Sequence, residues 1–526
     1  MYSASKTVQL AESSRVTCPE FPAHPQRPST WIAARGEVLR ELPGRCVFRA
    51  RLGSPEGPRV VVKEYTPRRL RHWLRPYAEI EADNAIAVRA RGIPVVEPLG
   101  YARFSDGRQI LILREEEGAR DLMALYESGE VRGARRHKLA RAAGELLARM
   151  QNAGIRHRDP HAGNILVLPD DSLMLADAWD LRPGDYLRPA ERAKTIADFA
   201  LWFLKHGTTV DMLLFWGEYG RTSELMPEDL EDLRQRVLGL IPDAFRRLAR
   251  MRARKVRRSG RPVEVGCWKG CLIREMPDGM LEEIAEQSAH LQMGPNVLKK
   301  SPTAWTFTVE RDDVKVVVKV YLPKKASRVL RDFVQGSRAD RAVQASEAFF
   351  HRGIPTVPLY AVLAHRDFVG RSVLVMEFVD DAASLDEVIP TLPARRSRYL
   401  ARELGRTLRR MHDWGLRHRD LKSDNVLLKK DGGADGEFPF LFLDLDGVRE
   451  TKKGQLDWER RARDLAILDG SLLDRTKVPT GLRLRALDAY LDGETPTGHK
   501  PGEFARKVMQ LADEARTRRI EKYGTP

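Results

Sequence analysis

Cysteine is scarce: Cys18, Cys46, Cys267 and Cys271 are the only four in 526 residues. That is too few to staple a chain of this size, and it fits a reducing cytoplasm. The stretch CWKGC sets Cys267 beside Cys271 with no second Cys or His pair nearby. A structural zinc site needs four such ligands, so these read as incidental thiols. Long apolar runs are also missing. The most apolar window, starting at Ile196, carries Asp198, Lys205, His206 and Asp211, which would be expensive in hydrocarbon. The opening stretch MYSASKTVQLAESSRVTCPEF lacks the apolar core of an export signal, so export is not expected. Hydrophobic residues still make up 42% of the chain, enough for real cores, and the length suggests two domains.

Acidic residues are outnumbered, 74 against 90 basic, for a net charge of +16. The excess is clustered. FRRLARMRARKVRRSGR (Phe245 to Arg261) interleaves its charges with Leu248, Met251 and Val256, and PRRLRHWLRP from Pro67 and PKKASRVLRDF from Pro323 are similar in kind. Each is either a solvated helix face or a surface for anionic partners such as membranes, acidic glycolipids or nucleic acid.

What the chain has in abundance is itself. VVVKEY (Val60 to Tyr65) recurs as VVVKVY (Val316 to Tyr321), and ARGIPVVEPL recurs as HRGIPTVPLY, matching Gly92 to Gly353. LILREEEGARDL aligns with LVMEFVDDAASL, and GIRHRDPHAGNILV with GLRHRDLKSDNVLL. LMLADAWDL aligns with LFLDLDGV, pairing Asp177 with Asp444. One order kept twice is a tandem duplication. It divides the chain into a tail (1–30), a first domain (31–245), a poorly repeating basic linker (246–286) and a second domain (287–526).

Each copy shows the same plan. The β-branched runs RVVVKEY and VKVVVKVY read as strands, as do QILIL and SVLVM. The segments closed by Gly92 and Gly353 read as helices, and so do RRHKLARAAGELLARMQNAG and SRYLARELGRTLRRMHDWG. Strands come first and helices later. The fold class is α+β, with a β-rich N-lobe and a helical C-lobe in each copy.

The repeated loop reads His-Arg-Asp, four residues, Asn, then a strand and an Asp. A loop Asp can accept a proton from a hydroxyl, while Asn and a second Asp offer hard oxygens to Mg2+. A lysine on an upstream strand can hold nucleotide phosphates. Phosphoryl transfer needs these parts, because it is catalysed mostly by positioning and charge neutralisation. The constellation, present twice, resembles the protein-kinase-like fold. The resemblance implies ATP and Mg2+ as cofactors, with Asp159 and Asp420 as catalytic bases. It implies Asn164, Asp177, Asn425 and Asp444 as metal ligands, although the last motif reads DAW and DLD here. Lys63 and Lys319 would be the ATP-binding strand lysines. Glu81 would be the ion-pair partner of Lys63, whereas the second copy has Ala342 there, flanked by Asp340 and Glu347. Lys422 sits where Ser/Thr protein kinases carry a lysine facing the γ-phosphate, and the first copy has His161 nearby. His157 and His418 would hold the loop, and Asp198 and Asp464 would each begin a helix beneath it.

Neither copy has a G-x-G-x-x-G loop before its lysine; LPGRCVF and KKSPTAWTF are the candidate phosphate-covering turns. Neither has Ala-Pro-Glu after the metal Asp, so a peptide-docking platform is not expected. The second copy, with K-x-Y, a basic segment, G-S-R-A and R-G-I-P-T, looks like the lipopolysaccharide core kinase family, which phosphorylates Kdo or heptose. That resemblance implies an anionic glycolipid or sugar acceptor, a cytoplasmic protein peripheral at the inner membrane, and no nucleic-acid partner. A kinase for another acceptor, protein included, and a tandem pseudokinase in envelope assembly are the rival readings. Reversing Arg68, Arg69 and Arg71 to Glu is expected to lower co-sedimentation with anionic vesicles; undiminished binding would make that segment a solubilising surface.

Overall fold

The valine-rich runs form the central strands of two antiparallel sheets. The computed structural model describes residues 32–42, 44–52, 54–66, 76–104, 106–323, 336–429, 439–451, 456–472, 476–492 and 500–523. Arg68, Arg69, Arg71, Trp73, Lys324, Lys325 and Arg328 of the basic segments lie outside them, as does the tail 1–30. The chain divides into two compact units, 1–241 and 242–526.

In the first unit, β1 (Ile32–Leu42), β2 (Arg45–Leu52), β3 (Arg59–Tyr65), β4 (Pro98–Arg103) and β5 (Gln109–Arg114) form one sheet in the order β1-β2-β3-β5-β4. Helix α1 (Tyr77–Arg89) lies between β3 and β4 in sequence and ends before Gly92, whose φ of 74° is left-handed backbone that glycine adopts without strain. Then come β6 (Arg120–Asp121), α2 (Leu122–Glu127), α3 (Gly133–Asn152), β7 (Ile155–His157), β8 (Ile165–Val167), β9 (Leu173–Leu175) and β10 (Leu181–Pro183). Helices α4 (Pro189–His206), α5 (Thr209–Thr222) and α6 (Pro227–Ser259) follow; the second unit begins at Pro242, inside α6.

The second unit repeats this order. It contains β11 (Arg261–Val265), β12 (Trp268–Leu272), α7 (Met280–Ala289), β13 (Val297–Ser301), β14 (Ala304–Arg311) and β15 (Val314–Tyr321). Next are α8 (Arg338–Phe350), β16 (Leu359–His365), β17 (Ser372–Glu377), β18 (Ala382–Ser384), α9 (Leu385–Val388) and α10 (Ala394–Asp413). The short strands β19 (Leu416–Arg417), β20 (Val426–Lys429), β21 (Phe440–Phe442) and β22 (Arg449–Glu450) precede α11 (Trp458–Ser471), α12 (Thr480–Leu491) and α13 (Pro501–Tyr523). Both units have the α+β, two-lobed kinase-like plan.

The segment 246–286, expected as a basic linker, is folded structure. Its basic run continues α6, burying Ala249 and Ala253 while Arg250, Arg254 and Arg258 are exposed. It then makes the hairpin β11–β12, turning at Gly266 with φ 55°. The hairpin extends the second sheet to the order β11-β12-β16-β17-β15-β14-β13, and Trp268 is fully buried. Among the described residues the first sheet has five strands and no counterpart of this hairpin.

The C-lobes pack alike but are filled differently. A Cβ on Gly144 would meet the Phe215 carbonyl and the Tyr219 amide; a Cβ on Gly405 would meet the Ala486 carbonyl and the Tyr490 amide. Arg192 of α4 reaches Asn152, and Arg461 of α11 reaches Asp413 in the same way. With these matches, the aromatic cluster Phe199, Phe203 and Phe215 of the first unit corresponds to Leu468, Leu472 and Ala486. The smaller side chains leave a cavity of about 110 Å3 among α10, α11, α12 and α13. Ala486→Phe should raise the stability of the second unit by about 1 kcal/mol. Phe215→Ala should cost the first about 3–5 kcal/mol. Urea titration of each variant reads both.

Candidate active site

The site of each unit lies where the sheet, its helix and the repeated loop converge. Alternation along β3 sends Lys63 and Tyr65 to the same face, toward α1. Lys63 is buried and donates to Glu81 Oε1 at 2.5 Å, and the Tyr65 hydroxyl donates to the other oxygen of that carboxylate. Burial pushes the Tyr65 phenol well up, and Glu81 beside it adds to the rise. Burial also raises Glu81, against the pull of Lys63. Asp177 follows β9, with Lys63 Nζ at 3.7 Å and Arg45 Nη2 at 3.2 Å. Burial alone would raise Asp177, but Lys63 and Arg45 hold it well below the usual carboxylate range.

The repeated loop stands opposite. His157 is buried, and its Nδ1 accepts from the Asp159 amide at 3.2 Å. Asp159 is largely exposed, with His161 Nε2 at 3.6 Å. Asn164 closes a one-turn 3-10 helix and donates its Nδ2 to the Asp159 carbonyl at 3.1 Å. This fixes the amide so that its oxygen remains as an acceptor.

The second unit builds the same loop. Asn425 donates to the Asp420 carbonyl at 2.7 Å, and Lys422 Nζ lies 2.6 Å from Asp420 Oδ1, in the place of His161. Its lysine is held differently. Lys319 donates to Asp444 at 2.6 Å and has Asp446 at 4.0 Å, while Arg338 donates to Asp446 at 2.8 Å. Neither flanking acid reaches Lys319: Asp340 caps α8 and pairs with Arg257 at 3.3 Å, and Glu347 lies 3.3 Å from His351. The carboxylate that Glu81 supplies from a helix is supplied here by the D-L-D loop. Burial and Asp444 beside it raise Asp446 to about 6, whereas Lys319, acting against burial, holds Asp444 well below the usual range.

The pairing of Asp198 with Asp464 does not hold. Asp464 is fully buried and accepts from the His418 amide at 3.0 Å and from Arg417 Nε at 3.1 Å. Asp198 pairs with Lys194, one turn back, at 2.7 Å. Thr195 takes the place of Asp464, its hydroxyl 3.5 Å from the His157 carbonyl. Both acids lie inside their helices, not at their starts. Sequence reading also missed Arg45, Arg338 and Asp446; the only local signal was the second Asp of D-L-D.

Among the described residues no group of three or more His, Cys, Asp or Glu side chains is arranged to cage a metal. Cys267 and Cys271 are free thiols.

The buried loop histidines link this geometry to pH. Burial lowers His157 to about 4 and lowers His418 as well. Below the ordinary His pKa of about 6.5, the unfolded chain binds a proton that the folded His157 refuses. Stability is therefore full above about 6.5 and falls by on the order of 3 kcal/mol as pH drops toward 4. Asp446 acts in the opposite sense, because its raised pKa lets the folded state take up a proton first. The His157 contribution is the difference between wild type and His157→Asn in urea titrations from pH 7.5 to 4.5, and the variant should show the shallower loss.

Comparison with known proteins agrees with this geometry. Serine/threonine-protein kinase cek1 of Schizosaccharomyces pombe is 25% identical over 193 residues, 36% of this chain and 13% of that protein. Serine/threonine-protein kinase ppk18 of the same organism is 32% identical over 114 residues, 21% of this chain and 8% of that protein. The chain thus covers only a small part of either relative. Residues 63–181 and 298–482, more than half of the chain, match the lipopolysaccharide kinase (Kdo/WaaP) family. The first segment starts at Lys63 and the second at residue 298, two strands before Lys319, and each runs past its metal-type Asp. With two such kinase-like sites in its fold, the chain belongs to the lipopolysaccharide kinase (Kdo/WaaP) family.

Proposed function

We propose that this kinase transfers the γ-phosphoryl group of ATP to a sugar hydroxyl of an anionic glycolipid, the Kdo or heptose of the lipopolysaccharide inner core. The observation that carries the reading is the family match over both copies. Two features of the chain support a non-peptide acceptor. The interval from Asp177 to α4 at Pro189, and from Asp444 to α11 at Trp458, is short for a peptide-docking segment. The net charge of +16, with exposed Arg250, Arg254 and Arg258 on α6, suits an anionic acceptor or membrane surface. No helix among the described residues is long and apolar enough to cross a membrane.

The donor set suits Mg2+, which takes one or two carboxylates and completes its shell with phosphate oxygens and water. Asn164 and Asp177, or Asn425 and Asp444, would hold it, the asparagines through the oxygen left by their Nδ2 bonds. The bound ion supplies charge neutralisation at the phosphates. The protein's own groups do the rest. Lys63 or Lys319 binds the α- and β-phosphates. Asp159 or Asp420, exposed on its loop, orients the acceptor hydroxyl and takes its proton as the new O–P bond forms and the γ-phosphorus–oxygen bond to ADP breaks. Lys422 and His161 sit beside those aspartates and would face the transferred group.

A protein hydroxyl as acceptor is the second reading, favoured by the names of the two relatives. Transfer of label from [γ-32P]ATP to purified core lipopolysaccharide decides. Asp159→Ala or Asp420→Ala, whichever copy is catalytic, should lower transfer by about 100-fold or more. No transfer to the glycolipid from wild type, with phosphosites mapped on protein, would replace the first reading by the second.

A further inference from the structure

The two copies exchange an arginine between two elements and keep its destination. In the first copy Arg45 opens β2, directly opposite Tyr65, and its guanidinium lies 5.5 Å from the centre of that ring. Its Nη2 reaches Asp177 at 3.2 Å. The register partner of Tyr321 in the second copy is Ala304, so the strand arginine is gone. There the guanidinium comes from Arg338, the first residue of α8. It lies 4.4 Å from the centre of the Tyr321 ring and bonds Asp446 at 2.8 Å. The first residue of α1 is Tyr77, which stacks on Tyr65 with ring centres 5.7 Å apart. Arg45 and Tyr77 in one copy thus stand for Ala304 and Arg338 in the other.

A guanidinium lost from one element and regained from another, over the same tyrosine and beside the same acidic loop, is wanted at that place for its charge and fork. A lone structural ion pair does not require this, since Lys63 and Lys319 already give each loop a cation. Arg45 also keeps an unspent donor: its buried Nε finds no acceptor among the described residues. Both copies lack a glycine-rich loop whose backbone amides could cover phosphates, and Arg45 comes from the β1–β2 turn where such a loop would stand.

We propose that Arg45 and Arg338 are equivalent polyphosphate-binding residues, each gripping the terminal phosphates of the nucleotide beside the strand lysine in place of a glycine-rich loop. A planar fork suits phosphate oxygens, and the tyrosine face holds it flat. This rests on the kinase reading but not on any acceptor, so nucleotide binding tests it without one.

The test is calorimetric titration of the full chain carrying Lys319→Ala, so that binding reports the first copy, with Mg2+ and ATP, ADP or adenosine. Arg45→Ala should weaken ATP by about ten- to a hundredfold, the range of a charge-assisted hydrogen bond, and leave adenosine within about twofold. Arg45→Lys, which keeps the charge and the fold, should fall between. Arg45→Ala with Tyr77→Arg copies the second arrangement and should recover ATP affinity. Unchanged ATP affinity, or equal loss for all three ligands, would reduce the guanidinium to a brace for Asp177. A loss confined to ATP that Tyr77→Arg does not restore would end the equivalence of the two arginines.

Discussion

A lysine ammonium buried in a sheet must meet a carboxylate, because an unpaired charge there would cost several kcal/mol. Lys63, buried, and Lys319, part-buried, are set on their strands by the same alternation, yet they satisfy that demand differently. Lys63 takes Glu81 from the helix, and Tyr65 shares the carboxylate, so the ion pair ties α1 to the sheet. Lys319 finds Ala342 at that position and turns instead to Asp444. The helix α8 is then tied to the loop by Arg338 and Asp446. One constraint, met by two sets of residues, decides how each helix is held and how committed each metal-type aspartate is to its lysine.

The loops differ in strain as well. Arg419 and Asp444 have φ of 70° and 56°, left-handed values that non-glycine residues rarely hold and that cluster at functional sites. Arg158 and Asp177 do not share them. The buried Asp464, accepting from the backbone of His418 and Arg419, helps to hold the strained turn. In the first copy a neutral threonine stands there, and the turn it supports is relaxed. Duplication has therefore kept the set of loop side chains and altered the scaffold that holds them.

Much of this was legible because the chain is written twice. Each copy acts as a control for the other: the strand lysines, the loop aspartates and the asparagines stand out by recurring in order. Arg45 does not recur, and it is one arginine among many, so nothing local marked it. The sequence of the β11–β12 hairpin does not recur, and so it read as a linker. Thr195 was missed for a third reason. An aspartate in each helix invited pairing by residue type, whereas the true match depends on which side chain faces the loop.

The sequence by itself determined the two-lobed plan, the strand that carries each lysine and the acid–amide–acid set of each loop. Those follow from side-chain period, glycine stops and spacing, which are local. Only the tertiary structure decided which carboxylate meets which cation. Glu81, Asp177, Asp444 and Asp446 are alike as letters, and their partners are chosen by which charges the fold brings within a few ångströms of one another.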